Sequence, residues 1–514
     1  MNEFWLKRSI SEKALIFFAL ITGLRFIFAY TVPLIDDEAY HWSWTLNLQL
    51  SYFDHPAMVA WLETLSLKLL GETYIGVRLP FFICYTLTVW MSWKLASELF
   101  DKITANFVGL ILLFSPFYGF GGYVASPEPP FILCWVLAAW VFWQGHHEDE
   151  HEWSVKKTWI WLGILMGLGL NSKFIMAMLA PGFGLYMLLS KKHRRDFLTP
   201  WPWVGVLIAS IICLPIFWWN ILHDWPGFKF QFSDRHAGQD PSFSRWLGFI
   251  GAQIGFYTPI LYGLMLFALY YSFKKISEAR WRFVFSMAIP SFVLFYIQPY
   301  FADYKPHWSG PAAIFLVMAA GYFYSQGIQL GDKTLLVPRS RFYRWGLLAF
   351  LVPINILIYT PFIYPWMPKA HAILAPNKEW KTTYDLSNEF YGWEELGAYV
   401  NRRQREIHAE TGTRPFIASH RYETTAQTTW GTKQKVYMLN TTISQYTVMQ
   451  TEEEIKSLLG MNALFVMSEK YHAKLERYAQ FDRCTPEELK TYRHGIHART
   501  FYIYYCENFK GITL

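Results

Sequence analysis

The sequence predicts a polytopic α-helical membrane protein with about eleven transmembrane helices and a C-terminal soluble α/β domain. Of the 514 residues, 53% are hydrophobic and only 17% are charged, whereas soluble domains are typically about 25% charged. Aromatic residues make up 19% of the chain, and tryptophan and tyrosine concentrate at membrane interfaces. Long apolar stretches fill the first 368 residues and then stop. Residues 1–368 are therefore the predicted membrane domain.

Each predicted span approaches the roughly 20 apolar residues that a helix needs to cross the hydrocarbon. Short basic clusters such as Lys7-Arg8 and Lys156-Lys157 mark cytoplasmic loops, because these loops are enriched in lysine and arginine. They place the N-terminus inside and residues 369–514 outside. The spans are predicted near residues 14–34, 77–98, 103–123, 128–144, 158–172, 174–190, 202–222, 247–272, 283–300, 309–327 and 346–366.

The same clusters explain the net charge of +7 without a nucleic acid. They are short and separated by apolar stretches, and they form no basic stripe with interleaved aromatic residues that could follow a phosphate backbone. The expected surroundings are therefore a lipid bilayer, and no nucleic-acid partner is expected.

Residues 369–514 have the pattern of an α/β domain that is large enough to bury its own core. A helix is predicted at 392–409 and strands at 414–418, 435–439, 463–467 and 500–505. Cys484 and Cys506 lie in this outside domain, where an oxidising compartment permits a disulfide. We predict that they pair, with two buried thiols as the alternative.

The loops predicted outside are rich in titratable groups, which suggests that they converge on one cavity. The strongest motif is Asp36-Asp37-Glu38-Ala39-Tyr40-His41-Trp42, near the predicted loop helices of residues 35–76. Helix capping explains one of three consecutive acids, and Asp36 is the expected N-cap. Asp37 would then point outward beside His41, so a functional role is favoured for it. Lys173 and Arg235 are the candidate substrate-binding cations of later outside loops.

Two further motifs open predicted spans. Ser126-Pro127-Glu128 is also an ordinary helix start, but it brings a carboxylate to the outer side. Lys305-Pro306-His307 places a cation at a helix start, where it could hold a phosphate. Glu128 is thus a candidate catalytic group, and Lys305 and His307 are candidate substrate-binding groups.

Histidines in the outside loops raise the question of a divalent metal, such as zinc, magnesium or manganese. The candidate ligands are Asp54, His55, His223 and His236. Their spacing is not diagnostic, so metal binding and plain hydrogen bonding both stay open for this set.

The motifs Asp-Asp-Glu-Ala-Tyr-His-Trp, Tyr-Phe-Asp-His-Pro, Ser-Pro-Glu-Pro-Pro and Lys-Pro-His-Trp occur in an order that resembles the bacterial family 39 (protein mannosyltransferase-like) glycosyltransferases of the GT-C superfamily. More distantly, the chain is similar to the aminoarabinose transferases of lipid A. The resemblance implies a GT-C fold, a polyprenyl-phosphate sugar donor and an inverting reaction. It also implies a bacterial inner-membrane protein whose active site and C-terminal domain are periplasmic.

The resemblance also implies roles for individual residues. The catalytic carboxylate falls on Asp37 with Glu38, and the adjacent Tyr40 is a candidate substrate contact. Asp54 and His55 fall where the family holds a metal or the lipid phosphate, although His55 stands where the aminoarabinose enzymes have lysine. The cation that often precedes the second span is Arg78 here.

Chemistry supports such an enzyme. The leaving group is a lipid phosphate, which needs no general acid, so one carboxylate and a set of cations suffice. The expected acceptor is a membrane-associated glycolipid or glycan, such as lipid A or lipopolysaccharide. Two alternatives stay open: a protein O-mannosyltransferase and a lipid or solute transporter. Transporters place ionisable groups near the bilayer midplane, whereas these acids lie at span ends.

Overall fold

The computed structural model describes residues 10–122, 124–147, 153–232, 240–330, 333–334 and 341–513. These residues form two compact units. The helical unit contains the described residues of 1–30, 50–71 and 78–356. The mixed unit contains those of 31–49, 72–77 and 357–514.

Helices dominate the chain as far as residue 374. They are α1 Ile10–Thr31, α2 Asp36–Trp44, α3 Met58–Leu70, α4 Tyr74–Leu99, α5 Lys102–Phe114, α6 Pro116–Gly121, α7 Glu128–His146, α8 Val155–Ser172, α9 Leu179–Leu189, α10 Trp201–Ile212, α11 Leu214–Leu222, α12 Pro226–Phe232, α13 Phe243–Tyr257, α14 Pro259–Lys274, α15 Ala279–Phe301, α16 Gly310–Gln326, α17 Arg341–Ile363 and α18 Met367–Leu374. A two-stranded hairpin, β1 Gln329–Leu330 and β2 Lys333–Thr334, follows α16.

Every predicted span coincides with one or two of these helices. Within the described residues, α4 and α15 are long and apolar enough to cross a membrane by themselves, and counting each bent helix pair as one span raises the number from 2 to as many as 5. The helical architecture is thus as predicted, and the count of about eleven spans stays a prediction.

Of the three bent helix pairs among the described residues, the pair in the predicted span 247–272 has the sharpest bend. Residues 247–272 belong to α13 and α14, which meet at an angle of 106°. Pro259 opens α14, and a proline excludes the residue before it from the helical region. Thr258, the residue before Pro259, has a φ of +66° and caps α14 by accepting a hydrogen bond from the Leu261 backbone amide. The single span expected here stays a prediction, because a helix pair bent in this way is either a broken span or a re-entrant loop.

The helical unit packs α8 against α10 through glycines. A Cβ at Gly163 would lie 2.5 Å from the carbonyl oxygen of Gly205, and one at Gly205 would lie 2.8 Å from that of Trp159. Small residues of this kind let helix backbones approach closely. Close packing matters in a membrane, because lipid is as apolar as the side chains and the hydrophobic effect does not drive helices together.

The mixed unit contains a five-stranded sheet and its own helices. In chain order these are α19 Trp393–Thr411, β3 Phe416–Ser419, α20 Tyr422–Thr432, β4 Val436–Met438, α21 Gln445–Met449, α22 Glu452–Lys456, β5 Ala463–Ser468, β6 Ala479–Arg493 and β7 Ile496–Ile512. The strand order is β4-β3-β5-β7-β6. β3 is parallel to β4 and β5, and β7 is antiparallel to β5 and β6.

Both faces of this sheet are covered. Ile417 and Leu464 pack with Trp393 and Leu396 of α19 in one core. Phe416 and its neighbours form a second core on the opposite face. Strands buried on both faces read as continuous apolar runs, which is why β3, β4, β5 and β7 were predictable from the sequence. The C-terminal α/β domain is confirmed as a sheet domain.

Strand β6 was not predicted. It lies at the edge of the sheet and carries a polar stretch that includes Glu487, Glu488 and Lys490. Charged edge strands discourage pairing with other chains, but they lack the apolar periodicity by which strands are found in a sequence.

The mixed unit also contains residues 31–49 and 72–77, whereas residues 35–76 were predicted to belong to the membrane domain. The physical reason is aromatic packing. Tyr40 of α2 lies 4.5 Å from Tyr422, and Trp42 lies 4.8 Å from Trp430 (ring centroids). Because these large side chains are buried against α20, α2 folds with the C-terminal residues.

The disulfide prediction is confirmed: Cys484 and Cys506 face each other across β6 and β7 and are bonded. We expect alkylation of unreduced, denatured protein to modify Cys84, Cys134 and Cys213 alone, and reduction to expose all five cysteines. The Cys484→Ser/Cys506→Ser variant should lose roughly 3 kcal/mol of mixed-unit stability, because the bond closes a loop across a separation of 22 residues.

Mass spectrometry after alkylation measures the first result, and unfolding in denaturant measures the second. The Cys84→Ser variant is the control, because its thiol lies outside the mixed unit. Labelling of either Cys484 or Cys506 before reduction would contradict the pairing.

Candidate functional site

The three acids that open α2 have different environments. Asp36 and Glu38 are 6% and 0% exposed, whereas Asp37 is exposed. The Glu38 carboxylate accepts a hydrogen bond of 3.1 Å from the amide of Ile35, the N-cap residue. The prediction that Asp36 is the N-cap is therefore wrong by one residue, and Glu38 supplies the capping contact. Of the three acids, Asp37 is the one whose position suits a reaction with an external substrate.

Asp36 is buried next to a group of charged residues of the mixed unit. Burial raises its pKa from 3.8 to about 7, and Arg499 and Lys470 oppose this rise. Both cations also pair with Glu389, at 3.2 Å from Arg499 and 3.1 Å from Lys470. These partners lie hundreds of residues away from Asp36 in the chain and carry no motif, so they were not predictable from the sequence.

The environment of Asp36 predicts a pH dependence. A carboxyl group whose pKa is higher in the folded state holds its proton there, so stability falls as the pH rises through the interval between the two values. Between pH 5 and 8 we expect the mixed unit to lose about 2–3 kcal/mol. Asp36→Asn should flatten this dependence. Thermal unfolding at a series of pH values tests it.

The matched control for this measurement is Glu453→Gln, which removes an exposed acid from α22. It should keep the wild-type pH dependence. An Asp36→Asn variant with the same slope as the wild type would show that another group carries the effect.

Tyr40 is buried, and its hydroxyl accepts a hydrogen bond of 3.1 Å from the backbone amide of Gln445. Gln427 of α20 donates to the carbonyl oxygen of Leu34, just before α2. These contacts hold α2 in the mixed unit and fix the position of the three acids at its N-terminus. A contact of Tyr40 with substrate stays a prediction.

In the helical unit, four segments distant in sequence meet at Glu128. Its carboxylate is paired with the Lys173 ammonium, and His307 Nε2 lies 3.4 Å from the same oxygen. His55 is close enough to interact with it electrostatically. Lys173 is only 5% exposed. The predicted convergence of these loops is thus observed for Glu128, Lys173, His307 and His55.

Local structure explains this arrangement. Glu128 is the first residue of α7, and Lys173 is the C-cap residue that follows α8. Ser172 donates a hydrogen bond of 2.7 Å to the carbonyl oxygen of Pro127, which ties the two helix ends together. The neighbouring side chains of Glu128 and Lys173 therefore face each other.

The other two predicted phosphate-binding cations, Arg78 and Lys305, have different surroundings. Arg78 is 1% exposed and donates to the carbonyl oxygen of Ala29 in α1 at 3.1 Å, so its described contact is with the protein backbone. Lys305 is exposed at the start of a 3₁₀ turn, Pro306–Ser309. Phosphate binding by Arg78 and Lys305 stays a prediction.

Three of the four residues predicted to bind a metal lie in the described part of the chain. Within the described part of the chain, Asp54, His55 and His223 do not form a three-ligand cluster. The Asp54 carbonyl oxygen accepts from Gln231 at 2.6 Å, and the His223 ring stacks on Trp219 at 4.4 Å. His236 and the predicted substrate contact Arg235 lie outside the described residues. Metal binding by the set that includes His236 stays a prediction.

Comparison with known proteins gives matches of sequence and of fold. The family described as "Dolichyl-phosphate-mannose-protein mannosyltransferase" matches residues 54–219. The lipid A galacturonosyltransferase RgtD of Rhizobium johnstonii is 24% identical over 54% of this chain and 58% of its own length. An undecaprenyl phosphate-alpha-4-amino-4-deoxy-L-arabinose arabinosyl transferase of Pseudomonas aeruginosa is 26% identical over 56% of this chain and 53% of its own. The chain thus spans somewhat more than half the length of these relatives.

Two solved structures share the fold. ArnT from Cupriavidus metallidurans aligns with a TM-score of 0.63 in the apo state and 0.65 when bound to undecaprenyl phosphate. Each alignment covers 96% of this chain and 98% of the other, at 16% identity. The likeness establishes a GT-C fold for the helical unit together with the C-terminal sheet domain.

Proposed function

Since the chain resembles the protein mannosyltransferase-like glycosyltransferases in sequence and shares the GT-C fold, we propose that it transfers a sugar from a polyprenyl-phosphate carrier to a glycolipid or glycan of the cell envelope. The names of the similar proteins support the donor and the acceptor. One relative is named as a lipid A galacturonosyltransferase, and the other as a transferase of an undecaprenyl-phosphate-linked sugar. One of the solved structures with this fold holds undecaprenyl phosphate. The proposed acceptor is lipid A, lipopolysaccharide or a similar envelope glycan. The proposed location is the bacterial inner membrane, with multiple spans.

The observation that carries this proposal is the group around Glu128. Two potential cations, Lys173 and His307, face one carboxylate at the ends of apolar helices. A lipid phosphate is an anion on an apolar chain. A cation at the end of an apolar helix can bind the phosphate while the lipid chain stays against apolar surface. We assign binding of the donor phosphate to Lys173, with His307, His55 and Lys305 as supporting groups.

The reaction forms a bond between the acceptor oxygen and the anomeric carbon and breaks the bond from that carbon to the phosphate oxygen. The phosphate leaves with the bonding electron pair as polyprenyl phosphate, and cations stabilise its charge. A general base accepts the proton of the acceptor hydroxyl. We assign this role to Asp37, since it is exposed while Asp36 is buried and Glu38 caps α2.

Glu128 is better suited to positioning than to nucleophilic attack. A retaining mechanism requires a carboxylate that attacks the sugar, but this carboxylate is engaged by Lys173. Its negative charge instead keeps a nearly buried ammonium in place. The proposal is therefore a single displacement with inversion at the anomeric carbon.

Purified protein incubated with a labelled polyprenyl-phosphate sugar and lipid A tests the function. Formation of polyprenyl phosphate and of sugar-modified lipid A, in equal amounts, is expected. Replacing lipid A by a threonine-rich peptide tests the protein mannosyltransferase alternative. Movement of intact donor across a vesicle membrane without release of lipid phosphate would identify a transporter and overturn the proposal.

We propose further that residues 369–514 and Asp37 lie in the periplasm. A reporter that is active only in the periplasm, fused after Leu514, should then be active. The same reporter inserted between Lys191 and Arg195 should be silent, because this basic cluster is predicted to be cytoplasmic. A silent C-terminal fusion that is stably inserted would contradict the orientation.

A further inference from the structure

Two histidines and an aspartate form a buried cluster at the C-terminal end of α7, at the other end of the helix from Glu128. His146 is the last residue of α7, and His193 and Asp196 lie in the 3₁₀ turn His193–Leu198 that follows α9. The side chains of the two histidines are 0% and 4% exposed, and that of Asp196 is 17% exposed. The proposed sugar transfer does not use them.

The spacing of these groups suits a single metal ion. Three ligand atoms, one from each residue, lie within 4.8 Å of one another. Asp196 Oδ2 is 3.1 Å from His193 Nδ1 and 3.7 Å from His146 Nε2. In a tetrahedral zinc site with bonds of about 2.0–2.1 Å, ligand atoms lie roughly 3.3–3.4 Å apart. Small side-chain movements would bring all three residues to this distance.

The His146 ring is oriented as a metal ligand. Its Nδ1 lies 3.0 Å from the carbonyl oxygen of Phe142, and since a carbonyl can only accept, Nδ1 carries the proton. In the neutral ring, Nε2 then turns a lone pair toward the Asp196 carboxylate at 3.7 Å. The distance is too long for a hydrogen bond from a protonated ring, and a cation bound between the nitrogen and the carboxylate oxygen would be stabilised by both.

Neighbouring groups hold this orientation in place. Phe142 stacks on the His146 ring with 4.1 Å between centroids, and Trp159 meets it edge-on at 5.9 Å. The Tyr186 hydroxyl donates to the His146 carbonyl oxygen at 2.8 Å. A backbone carbonyl that fixes the tautomer of a histidine is a typical outer-shell partner of a metal site.

We propose that His146, His193 and Asp196 bind one zinc ion, with a water molecule as the fourth ligand. Imidazole nitrogens and a carboxylate oxygen are ligands that zinc commonly takes in proteins. The ion links the end of α7 to the segment after α9, at the opposite end of α7 from Glu128, so it lies apart from the residues assigned to sugar transfer.

Zinc binding by the full-length protein tests this site. The protein is purified in detergent through a tag without histidines, stripped with a chelator and titrated with zinc, and bound metal is measured by mass spectrometry. We expect about one zinc per chain in the wild type, and an affinity at least about tenfold lower in His146→Gln and Asp196→Asn. The control His408→Gln changes an exposed histidine of α19 and should bind zinc as the wild type does.

Two outcomes of the titration would overturn the proposal. The first is a wild-type protein that binds no zinc. The second is loss of zinc in His223→Gln together with normal binding in His146→Gln, which would assign the ion to the outer-loop histidines instead.

A second measurement does not depend on folding of the variants. Wild-type protein loaded with cobalt(II) should show the intense visible absorption of a four-coordinate site, and zinc should displace the cobalt and abolish these bands. Zinc should also raise the thermal unfolding midpoint of the wild type but not of Asp196→Asn. Weak absorption typical of six-coordinate cobalt would contradict the site.

Discussion

Asp37→Asn is expected to lower the turnover of sugar transfer by about 10²–10⁴-fold, which is the usual cost of losing a general base. The substitution keeps the shape of the side chain and removes only its ability to accept a proton at the pH of the reaction. Asp37 is exposed at the start of α2, so folding should not suffer. Binding of the donor, measured with a non-transferable analogue, should stay near the wild-type level.

The neighbouring acids are matched controls, since the structure gives them different tasks. Glu38→Gln removes the charge from the capping contact with Ile35, so it should cost stability more than turnover. Asp36→Asn should change the pH dependence of unfolding as described above. Near-normal turnover in Asp37→Asn together with complete loss in Glu128→Gln would place the base on Glu128 and overturn the assigned roles.

Lys173→Met is expected to lower kcat/KM for the donor by roughly 10–100-fold, because a charge-assisted hydrogen bond to phosphate contributes about 1.5–3 kcal/mol. Methionine has a similar length but carries no charge. The KM for the acceptor should change little. Steady-state kinetics with each substrate varied in turn separates the two effects.

The same substitution leaves the Glu128 carboxylate without its lysine, which could lower activity for a structural reason. The Glu128→Gln/Lys173→Met double variant removes both charges and separates the causes. If Lys173 binds the donor phosphate, the double variant stays defective toward the donor. Recovery of donor kinetics in the double variant would assign Lys173 a structural role only. Lys490→Met, in the polar edge strand β6, is the surface control.

Much of the architecture was predictable because it depends on local composition. A stretch of apolar residues must leave water wherever it lies in the chain, so the helices of the helical unit could be located from the sequence. Continuous apolar runs likewise marked β3, β5 and β7. The pairing of Cys484 with Cys506 followed from their shared position outside the spans. Strand β6 escaped prediction, because its polar edge carries no such pattern.

The sequence could indicate which residues are candidates for function, but not which residues they contact. The sequence marked Asp36, Asp37 and Glu38 as unusual, since three adjacent acids repel one another. Glu38 caps α2 through a local contact with the Ile35 amide. The environment of Asp36 depends on distant side chains of the C-terminal sheet domain, such as Arg499 and Lys470.

The pairing of Glu128 with Lys173 is likewise a property of the tertiary structure. The two residues are 45 positions apart, and only the packing of α7 beside α8 brings their charges together. The same holds for His146 and Asp196, which no spacing in the sequence connects. Sequence alone determined which chemical groups lie at helix ends, because polarity is a local property. Tertiary structure decided which groups meet, because burial and ion pairing depend on segments that are distant in the chain.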